Sequence, residues 1–590
     1  MGLVWHTAAA GEPLPPDTFA GPCSAWVPVN DGAFGTGTGP NSTDYSGEEG
    51  FEVVVFNNQL YVGMEADNAY GARLWRTNAG IRVPTGQADW QEVIADEDGN
   101  PFDNPNKEQN DHIDSLAVFQ GALYASTANR SGYNLGTLVY SSTTGNPGSW
   151  TQVISAGFGD VHNANFKDMQ IFQGWLCGGT WNERNGAQVW CTADGAQWVQ
   201  KNHSGFGITG DDNTVTTVWS GHVYSNALYF GVHQALDCSG STCLPVSVGV
   251  LYRTSDVTVA SPTWTRVFTG VLESYRVDIL GDLDGYLYVA TRKPEGIAIY
   301  RSICGTPGTW IQVNQDGMNG NPANTGTVVD GATVYNGALY VAVNNTTTGV
   351  EIWRTTGDLQ PTGWVDWEPV GSSGLDDPEN YYSEMVPFNG YLYAWTSNYT
   401  TGQHVYRAAC PICQTRAIAG SGRFDFDGVG ASITVTAGSL GTLTVCTRPG
   451  APPTAQIDAR PVARTYHITG TPETSIFTAD VTLSYTPQEL DASDIGDEAS
   501  VYLARWTGST WESCPETDRA RDAAAHTVTC HNVGEFSTWA IAGEGAFPTR
   551  LRLLAVRPVW GVRGGALLLA LACVAVYVWG TKDRPRIQNE

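Results

Sequence analysis

Residues 23–35 read CSAWVPVNDGAFG, and their ending recurs as SWTQVISAGFG (149–159), WIQVNQDGMNG (310–320) and WEPVGSSGLDD (367–377). In the three later cases a Trp-x-x-Val segment closes a longer unit that opens with a pattern such as FNGxLYV. The first copy has no such unit in front of it. A chain that starts with the end of a repeat must use that end elsewhere, and the repeat itself says where.

Seven segments share an apolar run, a two-residue turn and an aromatic-rich run: VVVFNNQLYVG (53–63), LAVFQGALYAS (116–126), MQIFQGWLCGG (169–179), GHVYSNALYFG (221–231), LGDLDGYLYVA (280–290), ATVYNGALYVA (332–342) and MVPFNGYLYAW (385–395). Period-2 strands around Asn-Gly, Asp-Gly or similar pairs are hairpin signals. A third strand follows each, as in LWRT, VYSS or IWRT, and a fourth begins at Trp90, Trp150, Trp198, Trp264, Trp310 or Trp367. Four strands per unit, repeated every 50–60 residues, resemble the blades of a β-propeller. The seventh unit lacks its fourth strand after Gln414, and the orphan at Trp26 supplies it. The expected fold is all-β: a seven-bladed propeller over 21–414, closed by the N-terminal strand, with 1–20 as an extension.

Gly (68), Trp (21) and Tyr (25) are abundant among 590 residues and only 15% are charged, a composition of short strands and tight turns. The formal charge is −28, and the basic stretch from Phe547 onward leaves −33 on the remainder. A body this acidic repels phosphate backbones, so nucleic acid is excluded as a partner. Several of the twelve Cys are placed like cross-strand pairs, which implies an oxidising, extracytoplasmic setting. The expected bridges are Cys23 to Cys410 or Cys413, stapling the ring, then Cys177–Cys191, Cys238–Cys243 and Cys514–Cys530.

From 415 to 546 the repeat gives way to alternating stretches such as ASITVTAGSLGTLTV and FSTWAIAG, read as a β-sandwich. Through LSYTPQEL, LARWTGSTW and FSTWAIAG this segment resembles a module that precedes the membrane anchor in bacterial cell-surface proteins. Similar-looking modules in some receptors cut themselves at His-Phe-Ser; this chain has Glu535-Phe536-Ser537, so an intact strand is expected. A basic linker (547–563) leads to an uncharged run, GGALLLALACVAVYVWGT (564–581), long enough to span a bilayer. Residues 582–590 would be a cytoplasmic tail, with propeller and sandwich outside a single-pass membrane. The start, MGLVWHTAAAGEPLPP, does not read as a signal peptide.

Loops joining fourth to first and second to third strands gather at one mouth of a propeller, and loops on a rigid scaffold are where binding resides. The ligand-binding candidates there are Asp111, His112, Asn163, Trp181, Arg184, Tyr275, Arg276, Arg292 and Tyr381. Amide, carboxylate and aromatic groups together suit a glycan or a protein ligand. The same oxygens would suit Ca²⁺, but no EF-hand-type loop supports it, so no cofactor is expected. The turn TADGAQW (192–198) loosely resembles the Asp-box of sialidase-like propellers. That resemblance implies an alternative, a glycan-active hydrolase or lyase, although the Arg-Ile-Pro signature is absent and no catalytic residue is assigned. The Arg of WRT and YRS (Arg76, Arg253, Arg301, Arg354, Arg407) recurs at one blade position and is read as blade packing. Recognition or adhesion outside the cell is the expected function, and a structural envelope component the third possibility.

Overall fold

The computed structural model describes residues 23–544, apart from short stretches of which 36–45, 95–101, 103–109, 208–214, 238–243 and 451–459 are the main ones. Cys238, Cys243, Asp111 and the apolar run 564–581 lie outside the described residues. Among those described, no helix is long and apolar enough to cross a membrane.

Seven four-stranded antiparallel units follow one another. Their inner strands are Ser46–Phe56, Ile113–Phe119, Asn165–Phe172, Val215–Tyr224, Val277–Leu283, Ala332–Tyr335 and Tyr382–Phe388. Each inner strand lies beside the next, and the seventh lies beside the first, which is the arrangement of propeller blades. The third and fourth units are also bridged at Trp181 and Thr217.

The hairpins form as their turn residues dictate. At all seven, both central residues have positive φ, as at Asn57 (50°) and Asn58 (58°), or Asn336 (53°) and Gly337 (74°). That geometry matches the right-handed strand twist and favours Asn, Asp and Gly. The second strands that follow are the most enclosed; Ala122–Thr127 is buried throughout. Outer strands are short and partly exposed, as at Ile311–Gln312 and Glu368–Pro369, which blunts the sheet edges.

The seventh unit takes Val27–Pro28 as its fourth strand, with Val27 opposite Arg407 and Pro28 opposite Tyr406. The clasp continues beyond these two residues. Val29 N donates to Val405 O (2.8 Å), Val405 N donates to Asn30 Oδ1 (2.6 Å), and Ala33 N donates to Gln403 O (3.0 Å). Cys23 is bonded to Cys410. Phe34 then wedges into the first blade, stacked on Trp75 at 4.6 Å and edge-on to Trp90 at 5.2 Å. The same wedge recurs where Phe158 meets Trp190 and Trp198, and Phe206 meets Tyr252 and Trp264. The repeated Arg also joins blades: Arg301 donates to Tyr288 Oη (3.1 Å) in its own blade and to Gly357 O (2.8 Å) in the next. Arg407 donates to Pro84 O (2.8 Å), tying the seventh unit to the first.

Beyond the seventh unit, two antiparallel sheets of six and five strands share one core that includes Phe426, Ile433, Val445, Tyr466, Leu483 and Trp539. The strand Ile412–Ala417 belongs to the six-stranded sheet, pairing with Thr442–Pro449. This corrects the alternative of a Cys23–Cys413 bridge: Cys413 sits directly opposite Cys446 and is bonded to it, leaving Cys410 for the clasp. Cys177–Cys191 and Cys514–Cys530 are also bonded. Ser537 donates its hydroxyl to Trp506 O (2.6 Å), while His531 faces Asp480 (3.0 Å), so that imidazole is engaged by a carboxylate.

Candidate ligand site at the propeller mouth

The inner strands bring together a cluster that no single loop contains. Register shifts interrupt four consecutive inner strands, between Ile113 and Ser115, Lys167 and Gln170, Val218 and Ser220, and Ile279 and Gly281. Bulges of this kind re-aim side chains. Next to each shift, a polar group or backbone N–H stitches neighbouring blades. Ser115 Oγ accepts from Met169 N (3.0 Å), Asp168 accepts from Gly221 N, and Ser220 Oγ accepts from Ile279 N (3.1 Å). The residues immediately before Ser115, Asp168, Ser220 and Ile279 are Asp114, Lys167, Trp219 and Asp278, all buried.

Asp114 is paired with Lys167, and His112 Nε2 lies 3.3 Å from its carboxylate. Burial alone would raise this carboxyl, but Lys167 and His112 hold it well below the usual carboxylate range. Lys167 Nζ lies 5.3 Å from the Trp219 ring centroid, and the Arg276 guanidinium lies 5.1 Å from it. Arg276 is paired with Asp278 (2.9 Å) and also donates to Thr327 O. At Asp278 burial is the larger effect and pushes the carboxyl up, against Arg276 and Arg292.

Aromatic rings rise from this charged base. Trp181 and Tyr275 lie 5.5 Å and 5.9 Å from Trp219, and His233 lies 4.4 Å from Tyr275. Trp219 is 9% exposed but Tyr275 is 37% exposed, so the cluster runs from a buried floor to an exposed rim. Tyr275 has φ 61°. A bulky residue in that region is strained, and such strain gathers at ligand sites. Buried ion pairs are poor stabilisers because desolvation offsets their attraction. Their concentration at one mouth therefore points to function.

Five sequence-predicted residues meet here: His112, Trp181, Tyr275, Arg276 and Arg292. Arg292 extends from the end of Tyr286–Thr291 across Gly326, where an added Cβ would lie 2.6 Å from its Nε. Asn163 has a structural role. It donates to Gly157 O (2.9 Å) and Gln188 Oε1 (2.8 Å) and accepts from Asn182 Nδ2 (2.8 Å). Asn324 and Asn380 repeat this in later blades, bonding Gly317 O and Gly374 O and accepting from Asn345 and Asn398. Arg184 lies against His162 Nε2 (3.0 Å). Tyr381 donates to Glu379 (2.6 Å), which raises its hydroxyl pKa, and pairs with Tyr399 at 6.0 Å. These partners, His162, Glu379 and Tyr399, lie outside the Trp219 cluster.

Sequence reasoning missed Asp114, Lys167, Trp219 and Asp278. Each lies five residues before the residue that ends its inner strand, in HIDSLAVF, NFKDMQIF, VTTVWSGHVY and RVDILGDL. For Asp114, Lys167 and Asp278, a charge at one repeat position inside a strand was the available signal. Among the described residues, no group of three His, Cys, Asp or Glu side chains is placed to hold a metal.

No protein-family model and no curated protein matches the chain. Among solved structures it is similar to polysaccharide lyase Uly1, with a TM-score of 0.38 and 10% identity over 65% of this chain and 97% of that one. It is similar to the β-propeller domain of the Trilobed protease from Pyrococcus furiosus, described as having an open velcro topology, at 0.34 and 9% over 61% and 94%. It also resembles Trypanosoma rangeli sialidase in complex with the inhibitor DANA, at 0.34 and 10% over 88% and 94%. These likenesses are loose, and the propeller assignment rests on the strand pairings above.

Proposed function

We propose that the chain is an extracellular recognition protein whose closed, seven-bladed propeller binds a glycan at the mouth floored by Asp114, Lys167, Trp219 and Asp278. The observation that carries this reading is the convergence of Trp181, Trp219 and Tyr275 with paired cations and carboxylates. Rings offer flat apolar faces to a sugar, and charged groups hydrogen-bond its hydroxyls. The bonded cysteines support an oxidising compartment, and the run 564–581 supports a single-pass anchor with the propeller outside. The test is a glycan array probed with the full chain and with Trp219→Ala. Binding that disappears in the variant supports the reading, and identical profiles oppose it.

A second reading is a glycan-active hydrolase or lyase. It is favoured by two buried carboxyls displaced in opposite directions, Asp114 down and Asp278 up, as acid and base partners often are. Turnover of a polysaccharide panel that is abolished by Asp278→Asn would support it.

A further inference from the structure

We propose that the sugar taken at this mouth is acidic, and that Arg292 is the group that meets its negative charge. This rests on the recognition reading above and adds the chemical class of the ligand.

Among the cations of this cluster, Arg292 stands apart. Lys167 is matched by Asp114, and Arg276 by Asp278. His233 is held below its ordinary value by burial and adds no positive charge near neutral pH. Arg292 has no ion-pair or hydrogen-bond partner among the described residues, and its Nε is buried. Burial, and then the like charge of Arg276, lower its pKa, while Asp278, the carboxylate that acts against them, is already engaged. A half-buried guanidinium with its Nε enclosed and no partner is costly in the unliganded protein, and an oxyanion removes that cost through a charge-assisted, bidentate contact.

The surroundings are arranged for such a contact. Gly326 leaves the space across which Arg292 lies, and Tyr275 and Tyr382 are close enough to act on its charge. Asn344 pairs with Gly326 across the ladder, is 2% exposed, and has no hydrogen-bond partner for its amide among the described residues. The buried Asn344 amide and the half-buried Arg292, both without partners among the described residues and both beside Gly326, form a donor set for one oxyanion. The rest of the protein is strongly acidic, so long-range attraction works against an anion. The local guanidinium must supply the selectivity.

The shared chemistry is an oxyanion on a sugar ring, borne as a uronate carboxylate or as a sulfate ester. Calorimetry on the full chain compares trigalacturonic acid, its methyl ester, and a sulfated oligosaccharide without carboxylates. The inference expects one of the two acidic probes to bind about ten- to a hundredfold tighter than the neutral ester, the worth of a hydrogen bond to a charged group. It also expects Arg292→Met to erase that preference while the unliganded variant melts no lower than the wild type. Tight binding of the carboxylate or of the sulfate alone supports the inference and identifies the source. Equal binding of all three sugars overturns it and leaves sugar recognition standing. A preference that survives Arg292→Met, or an Arg292→Met protein that melts well below the wild type, overturns the role of Arg292. Failure of all three sugars overturns both readings.

Discussion

Replacing Cys23 and Cys410 together by Ser tests the clasp. That bridge spans 387 residues, whereas Cys177–Cys191 spans 14. On the chain-entropy account the first closure is worth about 6 kcal/mol and the second about 3 kcal/mol. All four cysteines are buried, at 8%, 0%, 0% and 0% exposure, so the cost of burying hydroxyls is similar in the two double variants and largely cancels. The assay is urea unfolding of the wild type, Cys23→Ser/Cys410→Ser and Cys177→Ser/Cys191→Ser under identical oxidising conditions. The expected midpoint shift for the clasp variant is about twice that of the blade variant. The clasp variant should also gain protease sensitivity near Val27 and Val405, whose pairing then depends on hydrogen bonds and on the packing of Trp26, Val29 and Phe34. A clasp shift equal to or smaller than the blade shift would refute the idea that the two ends of the ring are held together in this way.

Asn380→Ala removes a buried bond to Gly374 O and leaves the Asn398 amide short of a partner, so stability should fall by about 1–3 kcal/mol. Glycan binding should be unchanged, as read by thermal melts and the array together. Arg301→Met should cost a similar amount, about 1.5–3 kcal/mol, because a charged donor to Gly357 O and Tyr288 is lost, again without effect on binding. His404 lies beside the clasp, and burial holds its pKa below the ordinary 6.5. The unfolded chain therefore binds this proton first, so the stability is present above pH 6.5 and is lost as pH falls through that value. Melting temperature should drop between pH 7.5 and 5, and His404→Gln should shrink the drop.

The hairpins were legible in the sequence because a turn with two positive φ values favours Asn, Asp or Gly, and each of the seven turns carries at least one. The clasp was legible because counting strands left one too many at the start and one too few at the end. The bridge of Cys413 to Cys446 was not, since a shift in composition near residue 414 cannot decide which sheet claims a strand beginning at Ile412. Phe34, Phe158 and Phe206 were missed as wedges because their left-handed loop conformation has no sequence mark beyond neighbouring glycines. Trp181, Tyr275, Arg276 and Arg292 stood out by lying at or near loops. Asp114, Lys167, Trp219 and Asp278 were hidden inside strands that read as buried and apolar. Their grouping depends on bulges that periodicity cannot reveal.

In the proposed complex the ligand sits over Trp219, at the end of the ring where Tyr275 is exposed. Hydroxyl-radical footprinting read by mass spectrometry, with and without the best glycan from the array, tests it most directly. Protection of Tyr275 and Trp181 is expected, with no change at Tyr399, which is 41% exposed on the seventh blade. Protection at Tyr399 with Tyr275 still fully reactive would contradict it.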